Sequence, residues 1–292
     1  MSATPLTDAI VDVRVHDPGR IAQVLAERPR ATMPAGEDKL MIIACDHPAR
    51  GALAAGADPL AMGSREDTLA RCVEALGRPG VNGFLGTADL IEDLALLGAL
   101  DGKLVYGSMN RGGLAGAAFA MDDRMTGYDA RGVADAGLDG GKMLLRVNYE
   151  DPRTADTLAA CAHAVNELAE RQVMAMVEPF ISTWSKGRVV NDLSPEAVIA
   201  SMHIASGLGR TSAYTWLKLP AVADMERVME ASTLPALILG GAVNEDAEAA
   251  RESWARALAL PTVKGLVIGR SLLFPPDDDV AGAVDNTVGL LS

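Results

Sequence analysis

A single-domain α/β protein of the (β/α)8 TIM-barrel class is what this 292-residue sequence predicts. Three observations carry the expectation. Eight short apolar runs rich in β-forming residues recur along the chain, separated by Ala-, Glu- and Arg-rich stretches with helical spacing. The runs are almost uninterrupted by charge, which marks strands buried on both faces and so a parallel sheet covered by helices. Eight such units in about 250 residues are the size of a closed barrel. A doubly wound open sheet is the competitor, but no GxGxxG follows the first run.

In order, the runs are 39–47 (KLMIIACDH), 81–90 (VNGFLGTADL), 103–111 (KLVYGSMNR) and 142–148 (KMLLRVN). The other four are 173–180 (VMAMVEPF), 213–220 (AYTWLKLP), 234–242 (LPALILGGA) and 263–270 (VKGLVIGR). Each is short and carries polar residues or glycine at or near its end. Between them, 65–76 (REDTLARCVEAL), 154–171 (TADTLAACAHAVNELAER), 195–207 and 244–258 (NEDAEAARESWARAL) read as helices. The last has acids in its first turn, as the helix dipole favours. An amphipathic stretch at 18–27 precedes the first strand and is expected to cover the barrel bottom. With no linker and no low-complexity tract, residues 1–292 are expected to form one barrel domain with a helical N-terminal extension of about 38 residues.

Bulk properties narrow the function. Apolar residues make up 49% of the chain and aromatics only 4%, which suits close packing of helices on strands. The net charge is −13 and the pI about 4.7. Such a balance argues against general nucleic-acid binding, which needs a broad basic face. It leaves room for a phosphorylated small molecule, because a few local cations and backbone amides can hold one phosphate. Cys45, Cys72 and Cys161 are odd in number and widely spaced, so neither a disulfide framework nor a zinc knot is expected. No basic segment followed by an apolar run opens the chain, and no stretch approaches the ~18–20 apolar residues of a membrane span. A cytoplasmic protein without membrane or nucleic-acid partners is the expectation, and a homo-oligomer is the expected assembly.

In a barrel, chemistry gathers at the C-terminal ends of the strands. Those ends read Asp46-His47, Thr87 to Asp89, Asn110-Arg111, Arg146 to Asn148, Glu178, Lys218, Gly240-Gly241 and Gly269-Arg270. Lys218 stands out as a single ammonium in an apolar strand that Pro220 closes. Burial penalises its charge and lowers its pKa, and a neutral amine is what attacks a carbonyl to form a Schiff base. The plain alternative is an ammonium snorkelling into water at a strand end. Gly240, Gly241 and Gly269 allow backbone N–H groups to approach an anion, and Arg270 adds a fork of donors, a pattern that fits phosphate at the seventh and eighth strands. Without a phosphate they are two glycine turns and a surface arginine.

These motifs, in this order, resemble the class I, Schiff-base-forming aldolases of the tagatose-bisphosphate, sulfofructose-phosphate and archaeal-type fructose-bisphosphate group. Asp46-His47-Pro48-Ala49-Arg50-Gly51 resembles that group's D-[QH]-R-G-like element with two residues inserted before the arginine. Residues 141–148 echo its V-K-x-L-L-Y-Y run, Val177-Glu178-Pro179 its E-P element, and Leu217-Lys218-Leu219-Pro220 its L-K-[VL]-x-x-P element. Gly240-Gly241 and Gly269-Arg270 stand at its seventh and eighth strand ends. The resemblance spans residues 39 to 275.

The resemblance implies that Lys218 is the Schiff-base nucleophile and that Lys142, on the fourth strand, lies beside it. Lys142 precedes the apolar run, so a place low in the barrel is the competing expectation. Asp46 and Glu178 are implied as the acid/base groups of class I chemistry, the alternative being that either only holds Lys218 or a substrate hydroxyl. Arg50, Gly240, Gly241, Gly269 and Arg270 are implied to bind substrate and its phosphate. The chain departs from the group where aromatic residues follow the fourth-strand run: here stand Arg146 and Asn148. Arg146 is expected either to bind a second anionic group of the substrate, as a keto-acid phosphate of inositol breakdown would carry, or to pair with Glu178.

No cofactor and no metal are expected. A metal-dependent aldolase needs clustered imidazoles, whereas of His16, His47, His163 and His203 only His47 falls at a strand end. The function expected is a class I aldolase, a lyase acting on a phosphorylated ketose or keto-acid in carbohydrate metabolism. A phosphosugar isomerase or epimerase on the same barrel, and a non-catalytic barrel that binds a phosphorylated metabolite, stay open as alternatives.

Overall fold

A computed structural model describes residues 5–241 and 247–291. Eight parallel strands close into a barrel: β1 (Leu40–Cys45), β2 (Gly83–Gly86), β3 (Leu104–Ser108), β4 (Gly140–Val147), β5 (Met174–Ser185), β7 (Thr215–Pro220), β8 (Ala236–Leu239) and β9 (Val263–Ile268). Pairing of β4 with β5 completes the ring. A ninth strand, β6 (Arg188–Asn191), pairs antiparallel with the end of β5 outside the ring. The helices are α1 (Leu6–His16), α2 (Gly19–Glu27), α3 (Arg65–Leu76), α4 (Ala88–Leu96), α5 (Ala130–Asp135) and α6 (Thr154–Glu170). Then follow α7 (Pro195–Ser206), α8 (Met225–Glu230), α9 (Ala247–Leu258), α10 (Arg270–Leu273) and α11 (Val280–Val288). Among the described residues no helix is long and apolar enough to cross a membrane.

The closed ring rather than an open sheet follows from the side chains. Along β1, Leu40, Ile42 and Ala44 point into the barrel, where they pack with Leu85, Leu104, Tyr106, Met174, Met176, Leu237 and Val267. Met41, Ile43 and Cys45 point outward into the layer between strands and helices, beside Leu69, Cys72 and Leu94. Both faces of each strand are therefore apolar, which is why the runs show no polar alternation. The helices start where the sequence supplies caps: Ser64 accepts from the Asp67 N–H ahead of α3, and Ser194 from the Ala197 N–H ahead of α7, with Pro195 in the first turn.

Three expectations change at the margins. The second run was read as a strand through Leu90, but the strand ends at Gly86 and 88–90 open α4. Asp89 consequently pairs with Arg65 on the surface rather than facing the barrel mouth. The stretch at 18–27 does not cover the bottom; α2 lies against α4, and the segment after it does the covering. Arg28 donates to the carbonyls of Leu100, Lys103 and Gly137 at 3.2, 2.7 and 3.3 Å, and Ala31 packs on the inner cluster. A buried guanidinium thus ties together three carbonyls below β3 and β4. Finally, β5 runs past the barrel rim and folds back as β6 through Lys186 and Gly187, both at positive φ (50° and 74°). Two such residues make the tight turn whose twist suits a hairpin. Ala242 and the expected helix start at 244–246 lie outside the described residues.

Candidate active site

Strand register sets the heights of the charged side chains. Leu144 on β4 lies level with Glu178 on β5, and Val177 lies level with Leu217 on β7, so Lys218 stands beside Glu178. Both share the inward parity of Met174, Met176 and Trp216. Lys142 lies one inward position below Leu144. Its four-carbon stem carries the ammonium up to the Glu178 level, although every atom of the residue is buried. Asp46 follows β1 with the inward parity of Ala44, and Ser108 ends β3 on the same face.

These groups form one buried network. Lys218 Nζ donates to Glu178 Oε1 at 3.0 Å, and Lys142 donates to Glu178 Oε2. Asp46 Oδ2 accepts from Ser108 Oγ at 3.2 Å and from Lys142 Nζ at 3.4 Å, and it is paired with Arg111. Burial alone would raise the Glu178 carboxyl, but Lys142, Lys218 and Arg111 outweigh it and hold Glu178 well below the usual carboxylate range. Burial lowers Lys218; Glu178 offsets part of that and Arg111 adds to it. Lys142 is pushed further, well below the ordinary ammonium range, by burial and then by Arg111 and Lys218 against the pull of Glu178. Burial brings Arg111 down to about 10, so it remains a cation at neutral pH.

A cavity of about 900 Å³ opens above this network, and Lys218 and Glu178 form part of its wall while Lys142 does not. The distinction matters for reactivity. Lys142 has the more depressed amine, but of the two only Lys218 lines the cavity. The Lys142 backbone lies low on β4, while its ammonium reaches the level of Glu178.

Arg50, Arg146 and Arg270 line the same cavity, as do Gly240, Gly241 and Gly269. Arg146 does not pair with Glu178. Its Nε donates to Asp123 Oδ2 at 2.9 Å, and Nη2 reaches both Asp123 Oδ1 and the Ala120 carbonyl. Arg50 and Arg270 pair with no carboxylate among the described residues, and the Nε of each is buried without a partner. Burial lowers both; Arg146 lowers Arg50 further, and Arg50 lowers Arg270. The mouth is thus electropositive in a strongly acidic chain. Of the glycines, Gly269 is needed by the fold, since a Cβ there would overlap the Ala44 carbonyl; Gly241 turns at φ 72° into open space.

Several site residues were not singled out from the sequence. Asp123 sits in the irregular segment after β3, where no periodicity flags it. Asn110 fixes that segment: its side chain accepts from the Leu144 N–H at 2.7 Å and donates to the Leu144 and Asp123 carbonyls at 2.6 and 3.0 Å. Arg111 was noted only as a strand end. The β5–β6 hairpin overhangs the cavity with Trp184, Arg188 and Val190. Cys45 is buried beside Cys72, a contact that with burial pushes its thiol well up and makes it a packing residue.

Relatives agree with this architecture. The structure of Cgl0159 from Corynebacterium glutamicum is 52% identical, with a TM-score of 0.95 over 98% of this chain and 96% of that one. An archaeal fructose 1,6-bisphosphate aldolase is 16% identical, with a TM-score of 0.69 over 93% of this chain and 98% of that one. A further archaeal fructose-1,6-bisphosphate aldolase, with its catalytic Lys covalently bound to the carbinolamine intermediate of the substrate, is 15% identical with a TM-score of 0.65 over 93% and 99%. At such identities these two aldolases share the fold. No curated protein matches the chain. The Cgl0159-like family model matches residues 38–288, and the chain belongs to the Cgl0159-like family.

Proposed function

We propose that this protein is a class I aldolase that cleaves or forms a carbon–carbon bond in a phosphorylated ketose or keto-acid through a Schiff base on Lys218. The observation that carries the reading is a reachable, buried amine at a barrel strand end, held against a carboxylate that a second buried ammonium shares. The fold shared with aldolases, one of them carrying a carbinolamine on its lysine, supports it.

The chemistry follows from the network. Burial and Arg111 favour loss of a proton from Lys218, and the neutral nitrogen adds to the substrate carbonyl carbon. A proton moves from nitrogen to the new hydroxyl, water leaves, and an iminium forms. Glu178 Oε1, already facing the nitrogen, is the group that carries these protons. Lys142 holds the other carboxylate oxygen and keeps the carboxylate oriented. The iminium then accepts the electron pair of the breaking carbon–carbon bond and becomes an enamine. Protonation at carbon and addition of water release the second product and restore Lys218. Gly240, Gly241, Gly269 and Arg270 are assigned to the phosphate, and Arg50 with the cavity side of Arg146 to a second polar or anionic part of the substrate. The three cations around Glu178 also oppose a divalent metal at that carboxylate.

The test is an aldol-cleavage panel of fructose bisphosphate, tagatose bisphosphate, sulfofructose phosphate, deoxyribose phosphate and the inositol-derived keto-acid phosphate. The expected result is release of a triose phosphate or its aldehyde partner from at least one compound, abolished in Lys218→Met. Turnover by isomerisation without cleavage would replace the aldolase with an isomerase, and binding without turnover would leave a metabolite-binding barrel.

A further inference from the structure

Cleavage requires a base for one more proton, the one on the hydroxyl of the carbon that departs as an aldehyde. The carboxylates of the site are poorly suited. At that stage Glu178 faces the iminium nitrogen of Lys218 and the ammonium of Lys142, and Asp46 Oδ2 is occupied by Ser108, Lys142 and Arg111. Among the described residues no tyrosine lines the cavity; Tyr106 is buried in the barrel interior, and Tyr128, Tyr149 and Tyr214 lie off the wall. His47 does line it.

The His47 imidazole comes directly after Asp46 at the end of β1. Its Nδ1 lies 3.6 Å from Asp46 Oδ1, just beyond hydrogen-bond reach. Both atoms are buried, and neither has a hydrogen-bond partner. Two orphan polar atoms that face each other are each other's natural partners, and catalytic pairs in unliganded sites often tighten only when substrate binds. If Nδ1–H is given to Asp46, Nε2 is left as the acceptor of a ring that lines the cavity.

We propose that Asp46 and His47 form a dyad in which Asp46 Oδ1 orients the ring and His47 Nε2 is the base of carbon–carbon cleavage. The step rests on the Schiff-base reading of Lys218. Nε2 takes the hydroxyl proton, and the freed O–H pair becomes the second bond of the departing carbonyl. The carbon–carbon pair moves into the enamine and neutralises the iminium nitrogen. The imidazolium then returns the proton to the enamine carbon, so that no net proton is consumed. The charged groups around the ring are Arg270, Lys218 and Arg50, with Glu178 and Asp46 opposing them. Burial and then the three cations hold His47 well below its ordinary range, so the ring is neutral and able to accept.

The test compares wild type with His47→Gln and His47→Asn, each checked for an unchanged thermal melt, on a phosphorylated ketose that the wild type cleaves. The expected result is a loss of about 10²- to 10⁴-fold in kcat with the acidic limb of the pH profile gone. Borohydride still traps the adduct on Lys218 in both variants, and added imidazole restores part of the rate of His47→Ala. Cleavage undiminished in the folded variants, or trapping lost together with cleavage, overturns the dyad and leaves the aldolase standing. No adduct in the wild type overturns the Schiff-base reading itself, and the dyad with it.

Discussion

Lys218 Nζ and Glu178 Oε1 are 3.0 Å apart at the level where β5 and β7 leave the barrel core, and Lys142 holds the other oxygen of the same carboxylate. One acid therefore balances two buried ammoniums. Replacing it, Glu178→Gln, leaves Lys218 without a counter-charge and Lys142 with Asp46 alone, a change that costs about 3–5 kcal/mol for a broken buried pair. The sign with pH is fixed by the direction of the shifts. Glu178 is depressed, so its contribution is present above the ordinary glutamate range and is lost as pH falls through the lower native value. At high pH the lysines lose their protons earlier than ordinary lysines, and the variant's deficit shrinks. Melting temperatures of both proteins across pH should show the largest gap near neutrality and convergence at either extreme.

Lys142→Met removes the second ammonium while keeping the volume. Glu178 then serves Lys218 alone, which raises the Lys218 pKa. The alkaline rise of activity that reports the free amine should move to higher pH, and activity at neutral pH should fall about 10-fold for each unit of that movement. A pH–rate profile of the variant checks it.

Arg146 and Asp123 make a buried two-pronged pair on the cavity wall. Asp123→Asn strands the guanidinium and should lower stability by about 3 kcal/mol. A double-mutant cycle with Arg146→Ala should give a coupling energy of about 2–3 kcal/mol. If Arg146 also meets a substrate carboxylate, Arg146→Ala loses activity on keto-acid phosphates while sparing ketose phosphates. Equal activity on both classes rules that contact out.

Gly265 occupies an irregularity where β9 shifts register against β8, at φ 147°. A Cβ there would come 2.6 Å from the Leu40 nitrogen and would overlap its carbonyl. Gly265→Ala should therefore destabilise the barrel by about 3 kcal/mol. The charged network lies at the other end of the strands, so the activity of the folded fraction should be unchanged. Chemical denaturation together with an active-site titration checks both halves.

The order of the barrel strands could be read from the chain because the runs are largely apolar on both faces and most are followed by a polar or glycine residue. Lys218 could be placed because one charge stands out in such a run. Lys142 was harder, since its strand begins at Gly140-Gly141, two residues with no side chain to reveal the inward face. Asp123 gave no signal at all: it is held by Asn110 in a segment without repeat or periodicity. The β5–β6 arm was hidden for a related reason. Thr183, Trp184 and Ser185 continue the strand without the apolar continuity that marks the barrel, and pairing with β6 rather than burial keeps them extended.

Lys218 is expected to form the covalent link to substrate. Borohydride reduction with a cleavable ketose or keto-acid phosphate, followed by peptide mass analysis, measures it directly. A stoichiometric adduct on the peptide containing Lys218, absent from Lys218→Met, is the expected result. An adduct on Lys142 instead, or none while cleavage proceeds, would contradict it.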